Sequence, residues 1–290
     1  MRLKDVQNIF HNELDTVYGK EEVDRFFYIL TEEFLGMKRL AFSLQPDFTI
    51  TKEEEQPIFE ALSKLKLEQP IQQILGKTEF FGLPFIVNSH TLIPRPETEE
   101  LVSFVISNQT PKNKQLTILD VGTGTGCIAI SLEKNLPNAK VFALDISKEA
   151  LEIAEENAEL NDSNVNFFEE DILNHKNWNF EFKNMEFDII VSNPPYVRNL
   201  EKAEMKNNVL KNEPHLALFV EDENPLIFYK SIIEFASNHL KKEGQLYFEI
   251  NQYLGQEMVE LLENFNFRNI ELKKDIFGND RMIKATVDSH

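Results

Sequence analysis

The chain has 290 residues, enough for about two domains and a sizeable core. Hydrophobic residues make up 42% and charged residues 27%, an ordinary globular balance, and no apolar run approaches the ~20 residues of a membrane span. Acidic residues outnumber basic ones 49 to 30, the formal net charge is −19, and no more than two Lys or Arg are adjacent, so the sequence lends no support to the counterion-displacing patch of a nucleic-acid binder.

The N-terminus, Met1-Arg2-Leu3-Lys4-Asp5, opens an amphipathic segment and not a signal peptide. Leu3, Val6, Phe10, Leu14 and Val17 recur at helical spacing, as do Val23, Phe26, Phe27, Leu30 and Phe34, with Gly19 and Gly36 as stops. Thr51-Lys52-Glu53-Glu54 has capping-box spacing ahead of Ile58, Leu62 and Leu65; Pro57 either starts that helix or kinks it. Residues 1–75 therefore read as a small helical domain for packing or for gripping a partner. Residues 76–93 read as a linker with a β-hairpin turning at Gly82-Leu83-Pro84. In Leu92-Ile93-Pro94-Arg95-Pro96-Glu97, the prolines hold Arg95 stiffly, either as an exposed loop residue or aimed into a cleft, and a helix begins just after it.

From Leu116 strand and helix patterns alternate, which predicts a parallel sheet with crossover helices through residues 94–290. Strands are expected at 116–121, 140–144, 165–168, 187–192 and 245–250, and helices at 126–135, 147–160, 225–240 and 255–264. A closing antiparallel pair is expected at about 270–274 and 282–287, since no crossover helix fits between them. The first strand runs into Gly122-Thr123-Gly124-Thr125-Gly126, a turn that lets a ligand approach the backbone. Asp145 ends the next strand, placed to accept from ribose hydroxyls, and Asp171 ends the third, with Ile172 offering an apolar contact. No Walker-type lysine follows the glycines, so an adenosine ligand suits the turn better than a triphosphate. Asp120 competes as a residue that fixes the glycine loop. Cys127, the single cysteine, excludes an intrachain disulfide, fits a reducing and hence cytoplasmic compartment, and reads as a packing residue. The six histidines show no metal-ligand spacing, and no metal is expected.

The strand Phe187–Ser192 stops at Asn193-Pro194-Pro195-Tyr196, because consecutive prolines cannot continue a ladder. The Asn193 side-chain oxygen and the Pro194 carbonyl suit the two N–H bonds of a planar NH2 group, and the Tyr196 ring suits stacking on its plane. That is the equipment for alkylating an amide or exocyclic amino nitrogen. An ordinary strand-ending turn would have the same four residues.

Taken in order, these segments resemble a class I S-adenosylmethionine-dependent methyltransferase. More narrowly, the chain is similar to the peptide chain release factor glutamine methyltransferases, the HemK/PrmC family. The likeness includes Pro70–Gly76, Leu92–Glu99, Glu213-Pro214 with Ala217-Leu218, Glu249-Ile250 and Gly278–Arg281. It implies an α/β, Rossmann-like seven-stranded sheet with a small all-helical N-terminal domain that docks substrate. The implied cofactor is S-adenosylmethionine, and the implied partner is a translation release factor, methylated on the glutamine of its Gly-Gly-Gln loop. By position, Gly122, Thr123, Gly124, Thr125, Gly126 and Asp145 would hold the methionine part and ribose. Asp171 and Ile172 would flank adenine. Asn193, which also borders the cofactor, would hold the glutamine with Pro194, Pro195, Tyr196 and Arg95. In two places the chain departs from the family: Ile172 stands where some relatives have an aromatic ring, and Asn251 where a glycine is usual. No catalytic role is expected for the Glu249–Asn251 stretch. Two rivals share the chemistry: a glutamine methyltransferase of a large-subunit ribosomal protein, and an adenine-specific nucleic-acid methylase. An NAD dehydrogenase would leave Asn193–Tyr196 idle, and a silent binding module would show a broken motif.

Overall fold

The structure is a computed structural model that describes residues 1–45, 47–109, 115–178, 185–205 and 207–287. The chain separates into two compact units. The first comprises α1 (Leu3–Tyr18), α2 (Lys20–Leu35), α3 (Arg39–Leu44), α4 (Lys52–Lys66) and α5 (Ile71–Leu75), joined by a short helix from further along the chain. Its core is the predicted stripe: Leu3, Val6, Phe10 and Leu14 of α1 meet Val23, Phe26, Phe27 and Leu30 of α2, and Ile58, Leu62 and Leu65 of α4. Val17 and Phe34 are exceptions, being exposed in the last turn before Gly19 and Gly36. Tyr18 packs inward where Val17 was expected and donates its hydroxyl to the Leu65 carbonyl at 2.7 Å. Thr51 and Glu54 form the predicted reciprocal capping box, so α4 starts at Lys52 and Pro57 lies inside it.

The second unit opens with the hairpin β1 (Lys77–Phe80) and β2 (Leu83–Ile86). Its turn is Phe81-Gly82, not Gly82-Leu83-Pro84. Both central residues of the two-residue loop have positive φ, Phe81 (52°) and Gly82 (74°), as in a type I′ turn, a conformation that a proline cannot adopt. Pro84 instead sits in β2 opposite Glu79, where a two-stranded ribbon leaves an edge free of ladder bonds. After α6 (Pro96–Ser107) come β3 (Thr117–Val121), α7 (Cys127–Asn135), β4 (Lys140–Asp145), α8 (Lys148–Leu160), β5 (Val165–Glu169) and β6 (Phe187–Ser192). A small parallel pair, β7 (Val197–Arg198) and β8 (Phe219–Val220), brackets the first unit's extra helix, α9 (Asn207–Asn212). The chain ends with α10 (Ile227–His239), β9 (Leu240–Glu249), α11 (Gly255–Asn264), β10 (Phe267–Lys274) and β11 (Asp280–Val287).

Seven strands form one sheet in the order β10-β11-β9-β6-β3-β4-β5. Every neighbouring pair from β9 to β5 is parallel, and β11 runs antiparallel to both of its neighbours, as the missing crossover predicts. Strand alternation divides the apolar residues between the two faces. Leu119 and Val121 belong to a core with α10 and α11, and Ile118, Val141 and Ile189 to one with α6, α7 and α8. The chain leaves β3 toward β4 and later returns to β6 on the other side of β3. The strand order thus reverses between β3 and β6, with Val121 opposite Ser192 at their carboxyl ends. Open α/β sheets bind ligands at such a point.

Candidate active site

The glycine loop follows β3. Gly122, Gly124 and Gly126 all have positive φ, and the N–H groups of Gly122 and Thr123 both donate to the Leu144 carbonyl of β4. Gly126 is doubly constrained: its φ is 80°, and an added Cβ would lie 3.0 Å from Ile130 and 3.3 Å from Ala154. Only glycine lets α7 start this close to α8. Asn157 of α8 is fully buried and ties the hairpin to the loop, donating to the carbonyls of Ile86 and Thr125 at 3.0 Å each and accepting from Ile86 N–H at 2.6 Å.

Carboxylates set the electrostatics here. Asp120 is fully buried and accepts from the Thr123 hydroxyl at 2.6 Å; burial raises its pKa to about 7. Asp145 accepts from Gly124 N–H at 2.9 Å and Ser147 N–H at 3.0 Å, and burial raises its pKa against those two bonds. It therefore braces the glycine loop while keeping lone pairs for a ligand. Asp171 caps the turn after β5, accepting from Leu173 N–H at 2.9 Å, and Ile172 beside it is buried. Cys127 is buried, and desolvation pushes its thiol up to about 12, which suits packing and not nucleophilic attack.

Gly122, Thr123, Gly124, Thr125, Cys127, Asp145, Asp171 and Ile172 line one cavity of about 300 Å3, to which Asn193, Pro194, Pro195, Arg95 and Thr98 also contribute; Gly126, expected at the cofactor, is not among the lining residues, and neither are Asp120 and Asn157. Arg95 reaches it half-buried, with Nη2 2.6 Å from Glu213 Oε1, and Glu213 Oε2 also accepts from Ile93 N–H at 3.2 Å. Tyr196 is placed differently from the stacking surface expected of it. It is not among the cavity-lining residues; its ring packs on the core and its hydroxyl donates to Glu249 Oε1 at 3.0 Å. Glu249 Oε2 accepts from the Thr98 hydroxyl at 2.7 Å, and Asn193 Nδ2 lies 3.2 Å from the same hydroxyl.

Sequence reasoning overlooked Thr98 and expected no catalytic role of Glu249. A signal was present for the second: Leu246-Tyr247-Phe248-Glu249-Ile250 buries an acid in an otherwise apolar strand, and such acids stay buried only with partners. Thr98 carried no comparable mark.

Comparison with known proteins gives this geometry a family. The Methyltransferase small domain model matches residues 101–217, and the PrmC N-terminal domain model matches residues 14–76. A release factor glutamine methyltransferase of Flavobacterium psychrophilum is 55% identical over 287 residues, spanning 98% of this chain and 99% of that protein. The chain belongs to the release factor glutamine methyltransferase family. A second member, from Bacteroides thetaiotaomicron, is 44% identical across 94% of this chain and 95% of its own length. Among solved structures, a methyltransferase from Pyrococcus furiosus superposes with a TM-score of 0.51 at 18% identity, over 82% of this chain and 100% of that one. A 16S rRNA methyltransferase from T. thermophilus, solved with AdoMet and guanosine, gives 0.52 at 16% identity, over 73% and 49%. Both likenesses concern the fold.

This chain is accordingly a methyltransferase, and its family points to S-adenosylmethionine as the methyl donor. The residues present fit that group. The cavity is within the range of small-molecule sites. It offers carboxylates at two successive strand ends, the open glycine backbone and apolar walls from Ile146 and Ile172. Among the described residues no helix is long and apolar enough to cross a membrane.

Proposed function

We propose that this chain transfers a methyl group from S-adenosylmethionine to the side-chain amide nitrogen of the glutamine in the Gly-Gly-Gln loop of translation release factors. The observation that carries this reading is the cavity itself: Asn193–Pro195 of the tetrapeptide line the same 300 Å3 space as the glycine loop, Asp145 and Asp171. Near-complete alignment with relatives named for this activity supports it.

An amide nitrogen is a poor nucleophile because its lone pair is delocalised into the carbonyl. Bound in the cavity, S-adenosylmethionine would supply a methyl carbon already activated by its sulfonium. The chain's residues then have to orient and desolvate. Asn193 Oδ1 and the Pro194 carbonyl accept the two N–H bonds of the glutamine and aim the nitrogen. Pro194 and Pro195 hold those acceptors on a stiff backbone. Asp145 would take the ribose hydroxyls, and Asp171 and Ile172 would flank the adenine. Thr123, Thr125, Gly122 and Gly124 would border the methionine part, with Gly126 shaping the turn behind them. Arg95, fixed by Glu213, guards the mouth where the glutamine enters. Tyr196 braces the tetrapeptide from behind. No general base is required, since the methylated amide cation is strongly acidic and releases its proton to a neighbouring acceptor or water.

The helical unit supplies the surface on which the release factor docks. A free Gly-Gly-Gln peptide would pay about 1–2 kcal/mol per residue to become ordered, with no docking surface to offset it. Incubation with labelled S-adenosylmethionine should therefore methylate the glutamine of an intact release factor, located by mass spectrometry. The peptide should react poorly and DNA not at all. A methyl group found on adenine, or on a ribosomal protein and not on the release factor, would overturn the reading.

A further inference from the structure

The reaction as described has no use for Glu249, yet this side chain is 2% exposed at the end of a central strand and holds two hydroxyl groups. Burial raises its pKa, while Thr98, Tyr196 and the Arg281 cation favour the charged form. A hydroxyl has one proton. Thr98 gives its proton to Glu249 Oε2 at 2.7 Å and retains only lone pairs, so toward Asn193 it can only accept. The group it accepts from is Asn193 Nδ2, at 3.2 Å. With the NH2 end of that amide turned to Thr98, the carbonyl oxygen is the end left for the cavity.

The two ends of an asparagine amide have nearly the same size and opposite hydrogen-bonding character. Asn193 cannot choose its own orientation by shape. Flipped, it would present NH2 to the NH2 of the incoming glutamine, donor against donor, and the nitrogen would lose its aim. We propose that Thr98 and Glu249 are positioning residues for methyl transfer, setting the direction of the Asn193 amide through a one-way chain of hydrogen bonds. Tyr196 hangs from the second oxygen of the same carboxylate, so one buried acid fixes both ends of the tetrapeptide. The inference rests on the proposed reaction, in which Asn193 Oδ1 accepts from the glutamine.

Thr98→Val keeps the volume and removes the hydroxyl, Thr98→Ala removes both, and Thr98→Ser keeps the hydroxyl. Turnover on intact release factor, KM, affinity for S-adenosylhomocysteine and thermal midpoint are measured for each. Thr98→Val, or Thr98→Ala should the first not fold, is expected to lower kcat roughly 10- to 100-fold, the scale of a misaimed reacting group. Cofactor affinity should stay within about twofold, and Thr98→Ser should recover most of the rate. Three results overturn the inference: unchanged kcat in both hydroxyl-free variants, a serine variant as slow as they are, or a rate loss matched by an equal loss of cofactor affinity. Wild-type protein that leaves the release factor unmethylated overturns the underlying reading instead, so the two failures are told apart by the wild-type control.

Discussion

Asp120 offers a direct measure of how much stability the cofactor loop costs. It is fully buried, its nearest partner is the Thr123 hydroxyl at 2.6 Å, and its pKa stands at about 7 against an ordinary 3.8. The native state therefore holds this proton more tightly than the unfolded chain does. Between those two values the native state binds more protons, so stability contributed by this site falls as pH rises, and above 7 the penalty is constant. The difference between those two values corresponds to roughly 4 kcal/mol. Between pH 5 and 8.5 the linkage leaves roughly 3 kcal/mol of it. Asp120→Asn removes the titration and keeps a carbonyl to accept from Thr123. Urea unfolding of both proteins across that pH range should show the variant gaining on the wild type by about that amount. Subtracting the two curves cancels the pH dependence of the other acidic groups. A difference that stays flat from pH 5 to 8.5 would refute the argument, because it would mean that Asp120 titrates alike in the folded and unfolded chains.

Asn193→Ala should reduce methyl transfer at least a hundredfold with little change in thermal midpoint or S-adenosylhomocysteine affinity; near-normal turnover would remove the orienting role. Asp145→Ala should weaken that affinity by about a hundredfold or more, since two charge-assisted hydrogen bonds are worth roughly 1.5–3 kcal/mol each. Calorimetry checks this, and part of the loss should come from freeing Gly124 N–H, now held at 2.9 Å. Glu213→Gln should raise KM for the release factor more than it lowers kcat, because Arg95 would lose the charge of its 2.6 Å partner; an unchanged KM would release Arg95 from the entrance role.

The strands and the loops at their ends were legible because both are written locally. Apolar runs of four to six residues, each closed by a glycine, an acid or a proline pair, gave β3, β4, β5 and β6 and the positions of Asp145, Asp171 and Asn193. What was not legible depends on which strands become neighbours. Thr98 and Glu249 are 151 residues apart, and Tyr196 and Glu249 53 apart. They meet because β9 lies beside β6 and α6 covers their ends. The stacking role expected of Tyr196 was inferred from its ring alone, and the hydroxyl found a buried carboxylate that the local sequence does not reveal. In the hairpin, Gly82 and Pro84 were both read as turn residues. The loop instead turns at Phe81-Gly82 with two consecutive positive φ values, a place that composition does not encode.

The departure at Asn251 also acquires a physical account. A glycine there could offer only its backbone, whereas Asn251 is 4% exposed and uses both ends of its side chain. Its Nδ2 donates to the Tyr196 carbonyl at 3.0 Å and to Glu201 Oε2 at 2.9 Å, and its Oδ1 accepts from Tyr253 N–H at 3.0 Å. Glu201 is paired in turn with Arg198 at 2.7 Å, and though burial works against it, that partner and its hydrogen bonds hold its pKa low. A buried amide satisfied at both ends carries little desolvation penalty and constrains what it touches. Tyr196 is thereby gripped at its hydroxyl by Glu249 and at its carbonyl by Asn251, and Asn193 is gripped by Thr98. Prolines fix the backbone between those points but not its placement against the sheet. That placement comes from side chains on β9, its following turn and α6, so the aim of the acceptor site is set by the sheet order as much as by the tetrapeptide itself.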